Sequence, residues 1–123
     1  MKLFLDTHVA VAVYEGLRGH VSPAASDTMD RSSLFISPVV GMELQLLHEI
    51  GRLIHPSLIV SGLASQGVRQ SDESTADLLP FFARLSWTRD PFDSLIVATS
   101  MAHRAPLVTR DRRILANYAE AMN

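Results

Sequence analysis

Apolar positions along this chain fall into two patterns. Leu3-Phe4-Leu5 and Leu34-Phe35-Ile36 are short unbroken runs bounded by polar residues, and they read as buried strands over 2–5 and 33–36. Elsewhere the apolar residues recur three or four apart. Between Val39 and Ile50 they stand at 39, 40, 42, 44, 46, 47 and 50, which is helical spacing. Ser37-Pro38 supplies the cap and the proline favoured at the first helical position, and Gly51 a stop. Asp90-Pro91 repeats that signal ahead of apolar residues at 92, 95, 96, 98 and 102, predicting a helix over Pro91–His103. Further helices are expected at Val9–Leu17 (ending near Gly16 or Gly19), Pro23–Met29, Pro56–Ala64 and Arg112–Tyr118. Another is expected to start at a cap on Ser71 or Asp72, run to Arg84 and kink at Pro80. Val68–Gln70 and Ala105–Thr109 read as strands. No repeat or low-complexity tract interrupts the chain. The soft stretch from Ser61 to Ser74 reads as a loop-bearing connection inside one domain, 1–123.

Strands alternating with helices predict an α/β fold: a central, mostly parallel sheet of four to five short strands covered by helices. Ligands of such sheets bind beyond the carboxyl ends of the strands. That makes the acids informative. Asp6 ends the first strand and Asp111 follows the Leu107–Thr109 strand by two residues. Asp93 lies in the first turn of its helix, and Glu43 in the early half of the helix after the second strand. Each of the three aspartates has a second reading as a helix cap, favoured by the helix dipole. Asp90 reads as a cap before Pro91, and Asp93 as its reciprocal partner in a capping box. Glu43 shares a stripe with Val39, Leu46, Leu47 and Ile50, where an acid must be paired, bound or facing a cleft. Arg52 or Arg84 is the expected partner if it is merely paired. Four carboxylates at one edge raise one another's pKa values. A hard divalent cation, Mg²⁺ or Mn²⁺, relieves that conflict and supports phosphodiester hydrolysis.

Composition narrows the choice. The 123 residues include no cysteine, which excludes disulfide scaffolds, thiolate metal sites and cysteine nucleophiles. The net charge of −2 is not that of a bulk polyanion binder, so any contact with nucleic acid rests on a local patch or on bound cations. No apolar run reaches the ~20 residues of a membrane span. Asp6 and His8 interrupt the apolar start, and no small-residue cleavage site follows, so a cytoplasmic location is expected. The five histidines share no ligand spacing; His8 stands nearest the acids, where phosphate or water is within reach. Arg89, Arg110, Arg112 and Arg113 flank the third and fourth acids, where they grip nucleic-acid phosphates, balance Asp90 and Asp111, or are simply solvated. The mean hydropathy of +0.15 is high for so small a chain and suits a buried partner surface.

At these residues the chain resembles the PIN-domain family, above all the VapC-type toxin ribonucleases of bacterial toxin–antitoxin pairs. Leu3-Phe4-Leu5-Asp6-Thr7-His8 is similar to the family's opening strand. Ser37 to Glu43 is similar to its glutamate-bearing helix. Arg89-Asp90-Pro91-Phe92-Asp93 and Leu107-Val108-Thr109-Arg110-Asp111 are similar to its third and fourth blocks. The blocks appear in the family's order and span residues 3 to 111. Val40, Met42 and Ser94 depart from the serine, aromatic and arginine common at those positions, and none of them removes an acid. The resemblance implies a metal-dependent endoribonuclease with Asp6, Glu43, Asp93 and Asp111 as catalytic metal ligands. It implies that Thr7, Asp90 and Thr109 orient the acids or a site water, and that Arg89, Arg110 and Arg112 are candidates for RNA contact. It also implies a homodimer, a cognate antitoxin covering the acids, and one more strand near Ala119–Met122. Two alternatives stand beside it. One is a non-catalytic module that binds RNA or protein. The other is a different metal-dependent phosphoesterase, such as a haloacid-dehalogenase-like phosphatase, whose second aspartate is replaced here by His8.

Overall fold

The computed structural model describes residues 1–51 and 55–123. These form five short strands and seven α-helices. β1 (Lys2–Leu5), β2 (Ser33–Ile36), β3 (Arg69–Gln70), β4 (Leu107–Val108) and β5 (Ala121–Met122) pair in the order β3-β2-β1-β4-β5. Every pairing is parallel. The chain builds outward from β1 on one side through β2 and β3, then returns to the other side as β4 and β5. The order therefore reverses between β1 and β4, and in an open parallel sheet such a switch point opens a crevice at the strands' carboxyl ends.

Around the sheet lie α1 (Thr7–Glu15), α2 (Pro23–Asp30), α3 (Pro38–Glu49), α4 (Pro56–Ser65), α5 (Thr75–Leu78), α6 (Pro91–Ala102) and α7 (Arg112–Asn117). Leu3, Phe4 and Leu5 are wholly buried, as expected for a central strand covered on both faces. α6 buries every residue from Ile96 to Ser100. Its Thr99 hydroxyl donates to the Leu95 carbonyl at 2.7 Å and lies 2.9 Å from Ser37 Oγ, the cap of α3. This buried bridge seats the start of α3 against α6, and so fixes the helix of Glu43 relative to the helix of Asp93.

Three expectations need correction. The helix after β3 is capped by Ser74, not by Ser71 or Asp72. Ser74 and Asp77 form a reciprocal capping box, while Ser71 is used up extending β3, its amide donating to Ile36 O at 3.0 Å. The α-helical part lasts one turn, and Leu79–Arg84 continues as 3₁₀ helix around Pro80, which has no amide to donate. β4 is shorter than Ala105–Thr109. Pro106 enters the ladder only through its carbonyl, and after Thr109 the chain turns into the Asp111 cap. On α3 the buried residues are Val39, Val40 and Leu44, whereas Leu46 and Ile50 are 43% and 59% exposed. Glu43 thus stands at the border of the buried face rather than within it. The weak terminal strand does form, with Ala121 and Met122 beside Leu107 and Val108.

Candidate active site

Asp6 follows directly on β1 and caps α1. Its backbone amide continues the sheet ladder, donating to Val108 O at 2.9 Å. Its side chain is 5% exposed and both oxygens are engaged. Oδ1 accepts from the Thr7 amide at 2.8 Å, and Oδ2 from the Thr109 hydroxyl at 2.6 Å. The same Thr109 oxygen accepts from the Asp111 amide at 3.0 Å. One buried hydroxyl therefore sets the carboxylate after β1 and the start of the turn after β4. Asp111 in turn caps α7, its Oδ1 accepting from the amides of Arg113 and Ile114 at 2.8 and 3.0 Å.

The second threonine works the other way. The Thr7 amide holds Asp6, but its hydroxyl donates to Glu43 Oε1 at 2.5 Å. Glu43 is therefore held by a hydroxyl and not by an arginine. Arg84 lines a hollow with Phe81, Met101 and Tyr118, and Arg52 lies outside the described residues. A continuous line of bonds, Glu43–Thr7–Asp6–Thr109–Asp111, joins three of the four acids.

Asp93 joins the group by charge. Asp90 caps α6, accepting from the amides of Phe92 and Asp93 at 2.9 and 3.3 Å. The capping box expected with Asp93 does not form. The Asp90 amide donates to Thr88 Oγ1 at 3.2 Å instead, which leaves the Asp93 carboxylate to the cluster. Burial, and then the charges of Asp90, Asp111, Asp6 and Glu43, push Asp93 up to about 7. Burial also raises Glu43, partly offset by the Thr7 hydroxyl, with the charge of Asp6 adding to the rise. Asp6 is raised by burial too, and the Thr109 and Thr7 bonds work against that rise. Asp93 thus feels the charges of Asp6, Glu43 and Asp111, and Thr7 and Thr109 link those three by hydrogen bonds.

The PIN domain profile matches residues 3–121. The chain belongs to the PIN-domain family. Solved structures share the fold at low identity. A toxin–antitoxin complex from Klebsiella pneumoniae is 18% identical with a TM-score of 0.67, over 98% of this chain and 96% of that one. VapBC2 from Rickettsia felis, bound to a DNA fragment from its promoter, is 18% identical with a TM-score of 0.63, over 100% and 98%. FitAcB from Neisseria gonorrhoeae is 21% identical with a TM-score of 0.56, over 98% and 96%. A search of curated proteins finds no match.

The donor set of this PIN domain is all carboxylate oxygen, the chemistry that hard divalent cations select. Glu43, Asp93 and Asp111 each keep at least one carboxylate oxygen outside the hydrogen bonds described. Among the described residues, no three His, Cys, Asp or Glu side chains already converge as ligands. Arg89, Arg110 and Arg112 are exposed at the rim. Thr88 and the Ser37–Thr99 bridge were not singled out from sequence. Thr88 is signalled in retrospect by its place two residues before a capping Asp. The Ser37–Thr99 contact spans 62 positions and has no local signature. No helix among the described residues is long and apolar enough to cross a membrane.

Proposed function

We propose that this PIN domain is a metal-dependent endoribonuclease, the toxin of a toxin–antitoxin pair, with Mg²⁺ or Mn²⁺ held by Asp6, Glu43, Asp93 and Asp111. The observation that carries the reading is that these acids come from four separate elements beside the switch-point crevice, where burial and then the charges of Asp90, Asp111, Asp6 and Glu43 push Asp93 up to about 7. A structural role does not call for mutually repelling carboxylates at a ligand crevice. When bound, the cation supplies charge neutralisation and acidifies a water for attack on phosphorus.

The chain's own residues prepare that chemistry. Thr109 and Thr7 fix the orientations of Asp6 and Glu43. Asp90 takes over the capping of α6, so Asp93 is not spent on it. Arg89, Arg110 and Arg112 stand at the rim to meet phosphates. The toxin assignment is supported by the solved toxin–antitoxin complexes that share the fold. A protein partner is further supported by Met42, Leu46 and Ile50, which repeat every four residues on α3 as an exposed apolar stripe starting beside Glu43. We assign that partner as an antitoxin, and the resting assembly as a homodimer in the cytoplasm.

The test is to induce the chain in a bacterial host and sequence new RNA 5′-phosphate ends, with Asp93→Asn as control. Discrete cut sites are expected with the native chain alone. Their absence in cells making folded protein would overturn the nuclease reading.

A further inference from the structure

Next to the acids lies a cavity of about 380 Å³ that hydrolysis itself does not require. Asp111 forms part of its wall, so it opens on the cluster. Val11, Ala12 and Leu17 give it an apolar floor, and the imidazoles of His8 and His20 border it. Besides Asp111, two charged residues line it, Arg110 and Glu15. Arg110 does not swing freely, because its Nη1 stands 3.2 Å from Nδ1 of His20. Burial, then the neighbouring Arg110 and His8, pushes His20 below its usual range, which keeps the ring a neutral acceptor for that guanidinium.

We propose that this cavity is a specificity pocket that takes a guanosine nucleotide adjoining the scissile phosphate, with Arg110 on its phosphate and Glu15 on its base. The proposal rests on the nuclease reading above. Apolar floor and imidazole faces are what an unstacked base needs, since single-stranded RNA is read by stacking and by hydrogen bonds to base edges. A carboxylate only accepts hydrogen bonds. Guanine alone presents two adjacent donors, N1–H and the 2-amino group, on its Watson–Crick edge. Adenine and cytosine offer one amino group beside a ring nitrogen that repels a carboxylate, and uracil offers one N–H between two carbonyls. Arg110, pinned by His20 one residue before Asp111, is placed for the phosphate between pocket and cluster. His20 is a positioning residue in this scheme and touches no reacting atom.

The experiment is a titration of the full chain, in chelator, with guanosine, inosine and adenosine 5′-monophosphates, followed by the imidazole resonances of His8 and His20. Guanosine monophosphate is expected to shift both. Inosine monophosphate, lacking the 2-amino donor, should bind about tenfold more weakly, the lower end of what a good bidentate pair discriminates. Glu15→Ala should bring all three nucleotides to one weak affinity. Arg110→Ala should weaken all three monophosphates alike while leaving guanosine without its phosphate unchanged, and Arg31→Ala, at an exposed pair with Asp27, should change neither. Equal affinities in the native chain, or a guanine preference that survives Glu15→Ala, would overturn the pocket. Discrete RNA cuts with no guanine at the junction and no monophosphate binding also sink the pocket while the nuclease stands. Guanosine-selective binding in a chain that cuts no RNA supports the pocket and removes the nuclease.

Discussion

Thr109→Val tests whether one buried hydroxyl organises the acid edge. Valine keeps the shape of threonine, and residue 109 is fully buried, so the change removes chemistry and little volume. Two bonds are lost. The 2.6 Å bond to Asp6 is to a carboxyl group that is 5% exposed, and with that group ionised such a bond contributes about 1.5–3 kcal/mol. The Asp111 amide loses its acceptor at 3.0 Å, worth about 1 kcal/mol. The extra methyl offsets about 0.8 kcal/mol at most. The net loss is therefore about 2–3 kcal/mol, or roughly 5–15 °C in Tm for a domain of this size. The loss should also depend on pH, in a direction set by Asp6. In the fold its pKa is raised above the usual carboxylate range, and the Thr109 bond opposes that rise. Without the bond the folded pKa climbs further, and the stability lost as pH rises through it grows. Urea unfolding from pH 4.5 to 8 in chelator should show a gap between native and variant that is small at the acid end and full at the alkaline end. A gap that is flat with pH, or below about 0.5 kcal/mol throughout, the usual range of an inert surface change, would refute the argument.

Three further outcomes are expected. In chelator, the native chain should lose stability as pH rises from about 4 towards 8. Burial and the neighbouring acids push Asp93 up to about 7 in the fold from an ordinary value of 3.8, so the folded chain binds more protons in that window. Asp93→Asn should flatten the pH dependence of Tm, and an equal slope in both proteins would refute the assignment. Adding magnesium at about 100 times its Kd should stabilise the native chain by about 2.7 kcal/mol, read as a rise in Tm that is lost in Asp93→Asn; a metal-insensitive melt would count against the cation. Gly62 lets α4 approach α1, since a Cβ there would stand 2.7 Å from Cδ1 of Tyr14. Gly62→Ala should cost about 1–2 kcal/mol after overpacking is offset by helix propensity. A Tyr14→Ala background should remove that cost, and a gain in Tm from Gly62→Ala alone would show that the ring moves freely aside.

The strands and caps were readable because their signals are local. Ser37-Pro38, Asp90-Pro91 and Gly16 each act on the next one to four backbone amides or carbonyls, and α3, α6 and α1 begin or end where those residues stand. The second half of the Ser61–Ser74 connection and the helix after it were read less well. Whether Ser71, Asp72 or Ser74 becomes the cap depends on how far β3 follows β2, a long-range pairing. The face of α3 that turns inward was misjudged for the same reason. Val39, Val40, Leu44, Leu46, Leu47 and Ile50 all satisfy helical spacing, and the positions of α6, α4 and α1 decide which of them are covered. Within the site, the residue types at Asp6, Glu43, Asp93 and Asp111 were visible in the sequence. The partner of Glu43 was not, because a threonine 36 positions away competes with arginines on equal terms until the fold brings one of them close.

The two readings open for the aspartates, cap or functional acid, are compatible in this fold. Asp6, Asp90 and Asp111 are the caps of α1, α6 and α7, and three helix N-termini therefore point at the same edge of the sheet. Each N-terminus favours a nearby negative charge by about 0.3–1 kcal/mol. The Thr109 and Thr7 bonds work against the rise that burial imposes on Asp6 and Glu43. Asp93 is the member with no such support: no hydrogen bond described here reaches its carboxylate, and it is the acid pushed to about 7. Burial first, and then the neighbouring charges, thus weigh most on one carboxylate in the first turn of α6. That carboxylate is the one whose ionisation a bound cation would change most, which is why Asp93, rather than the better buried Asp6, is the decisive position for substitution.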